Sequence, residues 1–269
     1  MRTTSKLLVA VGLGLVPAVA NAQADGDIRI AVEHAGNTDF SLTPLWFGFH
    51  NGAFDTFDTG LAASPALEAI AELGLTGPIT ADFTAAPGVP GDIQGVVAAA
   101  DNGVPPIEPG ETGVGFVTPI NPASYQYFSF LSMLVPTNDT FIGNGDPFAL
   151  QIFNGAGDLI DENGMLTSER VIQIFDTSIY DAGTELNDGV GAAFTQGVDG
   201  TLGNEENGVV TLGSDLSAFI GATDVTGRVI NDGIAPGELL ATISISIVPE
   251  PTTAVLMTAS VIGVAFRRR

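Results

Sequence analysis

Asp181 and Glu185 stand four residues apart in a glycine-bearing loop that directly follows an apolar run, so both carboxylates can turn toward one point. Asp139 closes a second run in Pro136-Thr137-Asn138-Asp139. Carboxylates in loops at strand ends are hard oxygen donors, and calcium takes roughly six to eight such oxygens, with carbonyls and waters completing the set. The same residues also serve in turns, where their side chains cap their own backbone, so a cation site and plain turns both fit the pattern. A third acidic stretch, Asp158 to Gly164, hints at a calcium-binding helix–loop–helix. With Gly164 in the place of the invariant loop glycine, Leu159 and Arg170 fall where the loop needs carboxylates. That stretch reads as a polar hairpin loop.

Other chemistry is hard to build. The chain has no cysteine, which removes disulfides, thiolate zinc sites and cysteine nucleophiles. Its histidines are His34 and His50 and its lysine is Lys6. A serine nucleophile needs an imidazole beside it, and no Gly-x-Ser-x-Gly elbow or His-Glu-x-x-His metal motif occurs. The two histidines read as strand-end residues with ordinary hydrogen bonds. Gly143-Asn144-Gly145-Asp146 places an acid where a phosphate would need a donor, so it reads as a turn. These observations point to a protein that is not an enzyme, with no catalytic residues. The rival is a hydrolase that cuts glycans with an Asp/Glu pair. Trp46 and three tyrosines are few platforms for a sugar cleft.

The elements that must position the carboxylates read as strands. Ile28, Ile30 and Val32 alternate with polar residues over Asp27 to His34, and Ile243, Ile245 and Ile247 do so over Leu239 to Val248. Leu45 to Phe49, Tyr125 to Val135, Phe148 to Phe153, Arg170 to Phe175 and Val209 to Leu212 are further extended runs between turn residues. Strands without intervening helical periods predict an all-β fold, an antiparallel sandwich or barrel. One short helix is predicted after Ser64, with Pro65 in its first turn, Leu67, Ile70 and Leu73 on its apolar side, and Gly74 at its end. The Pro/Gly-rich stretch from Ala86 to Gly115 reads as a long loop or ragged edge.

Composition bounds the partners. Of the 269 residues, 31 are acidic and eight basic, for a net charge of −23. Five of the basic residues sit at the chain ends, leaving Arg29, Arg170 and Arg228 against 30 acids between Gln23 and Val248, a net −27. A body so acidic repels phosphate backbones, so nucleic acid is excluded as a partner.

Residues 1–22 read as a signal peptide: Arg2 and Lys6, the apolar Leu7 to Val16, then Ala20-Asn21-Ala22 as a cleavage site for signal peptidase. Residues 248–269 run Val248-Pro249-Glu250-Pro251, an apolar stretch from Thr252 to Phe266, and Arg267-Arg268-Arg269. That order resembles the PEP-CTERM sorting tail of exported bacterial proteins. The resemblance implies transient membrane insertion through a C-terminal helix, processing by an exosortase, and arrival at the cell surface or in an exopolysaccharide matrix.

The body, 23–247, resembles the spondin N-terminal domain. Three segments carry the likeness: Leu42-Thr43-Pro44-Leu45-Trp46 with Gly48-Phe49-His50; Ala63-Ser64-Pro65-Ala66-Leu67-Glu68; and Phe128-Ser129-Phe130-Leu131-Ser132-Met133 with the later Tyr180-Asp181-Ala182-Gly183-Thr184-Glu185. The resemblance implies a C2-like antiparallel β-sandwich with calcium held at one rim, here by Asp139, Asp181 and Glu185. Glu185 departs from the aspartate usual in animal members. The function so implied is a secreted calcium-binding adhesion module whose partner is an exopolysaccharide or other surface polymer. A plain structural coat protein is the remaining alternative.

Overall fold

The computed structural model describes residues 26–99, 106–118, 121–200 and 202–248. The signal peptide, and the sorting tail apart from Val248, lie outside them. Among the described residues no helix is long and apolar enough to cross a membrane.

Two antiparallel sheets face each other, as an all-β sandwich requires. The first contains β1 (Ile28–His34), β5 (Thr112–Val117), β8 (Glu169–Phe175) and β11 (Leu239–Ile247), in the order β5-β1-β11-β8. The alternation that marks β1 and β11 in sequence sends Ile28, Ile30 and Val32, with Ile243 and Ile245, into the core. The second sheet contains β3 (Leu45–His50), β4 (Gln94–Val97), β6 (Tyr127–Val135), β7 (Thr140–Gly143), β9 (Ile179–Asp181) and β10 (Thr211–Leu212), in the order β10-β9-β7-β6-β3-β4, with β2 (Ser41–Leu42) also paired to β6. β3 and most of β6 are buried on both faces, so they read as mainly apolar runs without alternation, interrupted in β6 by the buried Ser129 and Ser132.

Helix α1 (Pro65–Leu73) forms where its caps require. Ser64 Oγ accepts from the Leu67 N–H at 3.1 Å. Gly74 ends the helix in the left-handed region at φ 63°, where a Cβ would lie 2.6 Å from Thr43. Its apolar side packs on β6 and β7. The single helix expected from the sequence is corrected to two, because α2 (Gly77–Ala85) follows directly. It buries only Ile79 and Phe83, one turn apart, too short a period to read beside a Gly-Pro start.

Two further expectations are corrected. The stretch 86–115 is not a loop throughout, since it holds β4 and the start of β5. Its glycines permit close packing: a Cβ at Gly95 would lie 2.8 Å from the Phe47 ring, and one at Gly113 would lie 2.6 Å from the Ala98 carbonyl. Phe148 to Phe153 makes only isolated bridges, at Gln151 and Phe153, because Asp146 Oδ1 accepts the Phe148 N–H at 2.8 Å and turns the chain.

Candidate functional site

The site lies at the rim where β7 and β9 pair, with Thr140 opposite Asp181. Asp139 enters β7 and Asp181 ends β9, so two neighbouring strands deliver two carboxylates to one point. Asp139 is fully buried, at 0% exposure. It does not cap its own turn. Its Oδ2 accepts the Thr184 N–H at 2.8 Å and the Glu185 N–H at 3.1 Å, while Oδ1 accepts the Asn187 amide at 2.7 Å. Asp181 does cap its own turn, through Oδ1 and the Gly183 N–H at 2.8 Å. Its Oδ2 faces the same Asn187 amide at 2.9 Å. One amide group therefore draws the two carboxylates together.

The third carboxylate beside them is Glu206. Ligand oxygens of Asp139, Asp181 and Glu206 all lie within 4.8 Å of one another. The Glu185 carboxylate is elsewhere: it accepts the Asn138 amide at 3.1 Å and lies against Gly203, where a Cβ would sit 2.0 Å away. Pairing explains the difference. Glu185 opposes Glu205 in an antiparallel bridge, and Glu206 donates its N–H to the Thr184 carbonyl at 2.9 Å. In extended chain, side chains alternate, so Glu185 and Glu205 share one side while Glu206 takes the other. The sequence holds a signal for Glu206, an acid pair between Gly203-Asn204 and Asn207-Gly208, but not the bridge that returns it to residue 184.

The surroundings add negative charge. Glu72 on α1 is half-buried, and burial pushes its carboxyl up to about 7, with repulsion from Glu185, Glu68 and Asp139 adding to the shift. Burial, and next the charge of Asp181, pushes Asp139 up to about 6 against the pull of its N–H donors. Glu185 is raised as well, again by burial first and by Glu205 and Asp188 after it. The ion pairs among the described residues, Arg170–Glu162 and Arg228–Glu108, engage other carboxylates. Like charges gathered without a cation raise one another's pKa, and a divalent ion reverses that penalty.

The donor set suits a hard cation. It offers carboxylate oxygens, with the Ser214 hydroxyl 3.4 Å from Asp181 Oδ2. Imidazole is not part of it. His34 Nε2 bonds the Phe40 carbonyl at 2.8 Å, and His50 Nε2 bonds Ser129 Oγ at 2.9 Å, both buried. The residues present therefore fit calcium better than zinc. Asp161 stands apart, capping its own hairpin through the N–H groups of Asn163 and Met165, as the sequence indicates.

Gly183 sets the spacing of this rim. Its φ is +68°, and a Cβ would lie 2.6 Å from both N and O of Val209. Gly183→Ala is expected to cost roughly 1–3 kcal/mol through strain and displacement of residues 183–185 from 206–209. Urea unfolding checks it, and a change within a few tenths of a kcal/mol would show that the two segments are not in tight register.

No family model matches the chain, and no match is found among curated proteins.

Proposed function

We propose that the chain is an exported, non-enzymatic calcium-binding adhesion module of the cell surface or an extracellular polysaccharide matrix. One observation carries it: three carboxylates, Asp139, Asp181 and Glu206, converge on one point at the rim of the sandwich, while the arginine ion pairs among the described residues engage other carboxylates. Calcium held there would remove the repulsion and tie the loop 183–206 to the ends of β7 and β9. Extracellular calcium modules commonly bind at roughly 10⁻⁴–10⁻³ M, which suits an exported protein. Export itself is supported by the signal-like residues 1–22 and the sorting-like tail 248–269. The exopolysaccharide partner rests on that tail, as do the roles of signal peptidase and an exosortase and the transient membrane insertion. The spondin resemblance supports the adhesion role by analogy of fold.

Co-sedimentation with a panel of exopolysaccharides, with and without calcium, tests the reading. Saturable, calcium-dependent retention with no release of sugar is expected. Sugar release that disappears on changing a single carboxylate would replace it with the glycan-hydrolase reading. No retention on any polymer, with or without calcium, would leave a structural coat.

A further inference from the structure

The sandwich is closed along one side and open along the other. On the closed side the β5 edge is bridged to the chain beyond β4 by Ala99 and Gly113. The remaining ends of the second sheet are short, two residues in β10 and four in β4. β8 differs. It is seven residues long, ends its sheet, and among the described residues pairs with β11 alone. Its outer backbone N–H and C=O groups therefore form an unpaired row. Native proteins guard such rows with prolines, bulges, lysines or inward-pointing charges. β8 contains no proline or lysine, and its one inward charge, Arg170, is drawn to Glu162 at 2.9 Å at one end. From Val171 to Phe175 the edge is bare.

A cleft of about 270 Å³ runs along this edge between the two sheets. Phe130 and Leu150 line it opposite Ile172 and Ile174, with Asp146 and Tyr180 also on its wall. The wall is part apolar and part polar, with Asn144, Gln173 and Ser178 among the polar residues. A backbone row beside such a cleft is an arrangement that recognises an extended polypeptide: main-chain hydrogen bonds supply affinity, and alternate side chains enter the cleft. Charge selects among such strands. A second copy of this chain brings another acidic body of net −27 and is repelled. A strand bearing lysine or arginine is attracted by Asp146, Glu169 and Asp176 along the edge.

We propose that the free edge of β8 is a strand-addition site for an extended, cationic polypeptide segment whose apolar side chains enter the cleft over Phe130 and Leu150. The proposal is independent of the calcium reading, since no carboxylate of that site takes part.

The test is amide hydrogen exchange of the full chain with the synthetic nonapeptide Lys-Val-Thr-Val-Lys-Val-Thr-Val-Lys. At millimolar peptide, alternate amides between Val171 and Phe175 are expected to slow at least about tenfold. The protection should disappear with a peptide N-methylated at alternate residues, and should weaken severalfold when glutamates replace the lysines. Gln173→Pro should abolish it, and the methylated peptide keeps the test valid if that variant does not fold. No slowing at β8, or slowing that survives N-methylation, would overturn the proposal. So would concentration-dependent protection of β8 without peptide, which would assign the edge to a second copy.

Discussion

Asp139→Ala is expected to destabilise the fold by roughly 2–4 kcal/mol, with or without calcium. The side chain is fully buried and accepts the backbone N–H groups of Thr184 and Glu185 together with the Asn187 amide. Alanine leaves the half-buried Thr184 and Glu185 N–H groups without this acceptor, each costing about 1–3 kcal/mol, while the Asn187 amide keeps Asp181. Relief of the repulsion from Asp181 returns part of the sum. Asp181 is different in kind, because its bond to Gly183 is local and its other oxygen faces a hydroxyl as well as an amide. Asp181→Asn should therefore change calcium-free stability little while removing most of the response to calcium. Denaturant unfolding of both variants checks the contrast. A loss below about 1 kcal/mol for Asp139→Ala would mean that water satisfies those donors and the loop is not anchored through this residue.

Acidification is expected to destabilise the calcium-loaded protein more than the calcium-free protein. His34 and His50 are buried, and burial first of all holds each imidazole near 4 instead of 6.5. In each, Nδ1 accepts the N–H of the glycine two residues on, Gly36 or Gly52, so a proton there would set two donors face to face. A base with a depressed folded pKa contributes stability above its unfolded value, and that stability is lost as pH falls from 6.5 toward 4. At about 1.4 kcal/mol per pH unit, each imidazole accounts for up to about 3 kcal/mol over this window. Asp139 and Glu72 have the other sign. Their folded values, about 6 and about 7, lie above their ordinary ones, so their stabilising contribution is complete at low pH and is lost as pH rises through 6 and 7. Glu72 is only half-buried, so solvent screens part of its contribution, and without calcium the two carboxylates offset only part of the imidazole loss between pH 6 and 4.5. With calcium the Asp139 carboxylate is already compensated and protons compete with the ion, so the same step should cost more, on the order of 4 kcal/mol. Parallel pH profiles with and without calcium would separate the carboxylate cluster from the ion.

The fold was legible where one face of a strand is buried. β1 and β11 alternate, and α1 carries a cap at each end, so period and punctuation agree with the structure. β4, β5 and α2 were hidden because glycine and proline there serve close packing and a helix start, which composition alone reads as loop. Asp139 and Asp181 were reachable from sequence because each stands at the end of an apolar run. Glu206 was not, since its place depends on an antiparallel return of the chain to Thr184 more than twenty residues earlier. The acidic Asp161 hairpin shows why carboxylate spacing alone is insufficient. It carries the same residue types, yet both N–H groups it binds are its own.

Equilibrium calcium binding, counted per chain, tests the carboxylate site most directly. One ion is expected for the unaltered protein, adding about 2.7 kcal/mol of stability at one hundred times its dissociation constant. That ion should be lost in Asp181→Asn and Glu206→Gln and kept in Glu185→Gln and Asp161→Asn. Equal binding by all four variants would mean that calcium only screens an acidic surface, and the convergence of Asp139, Asp181 and Glu206 would then hold no ion.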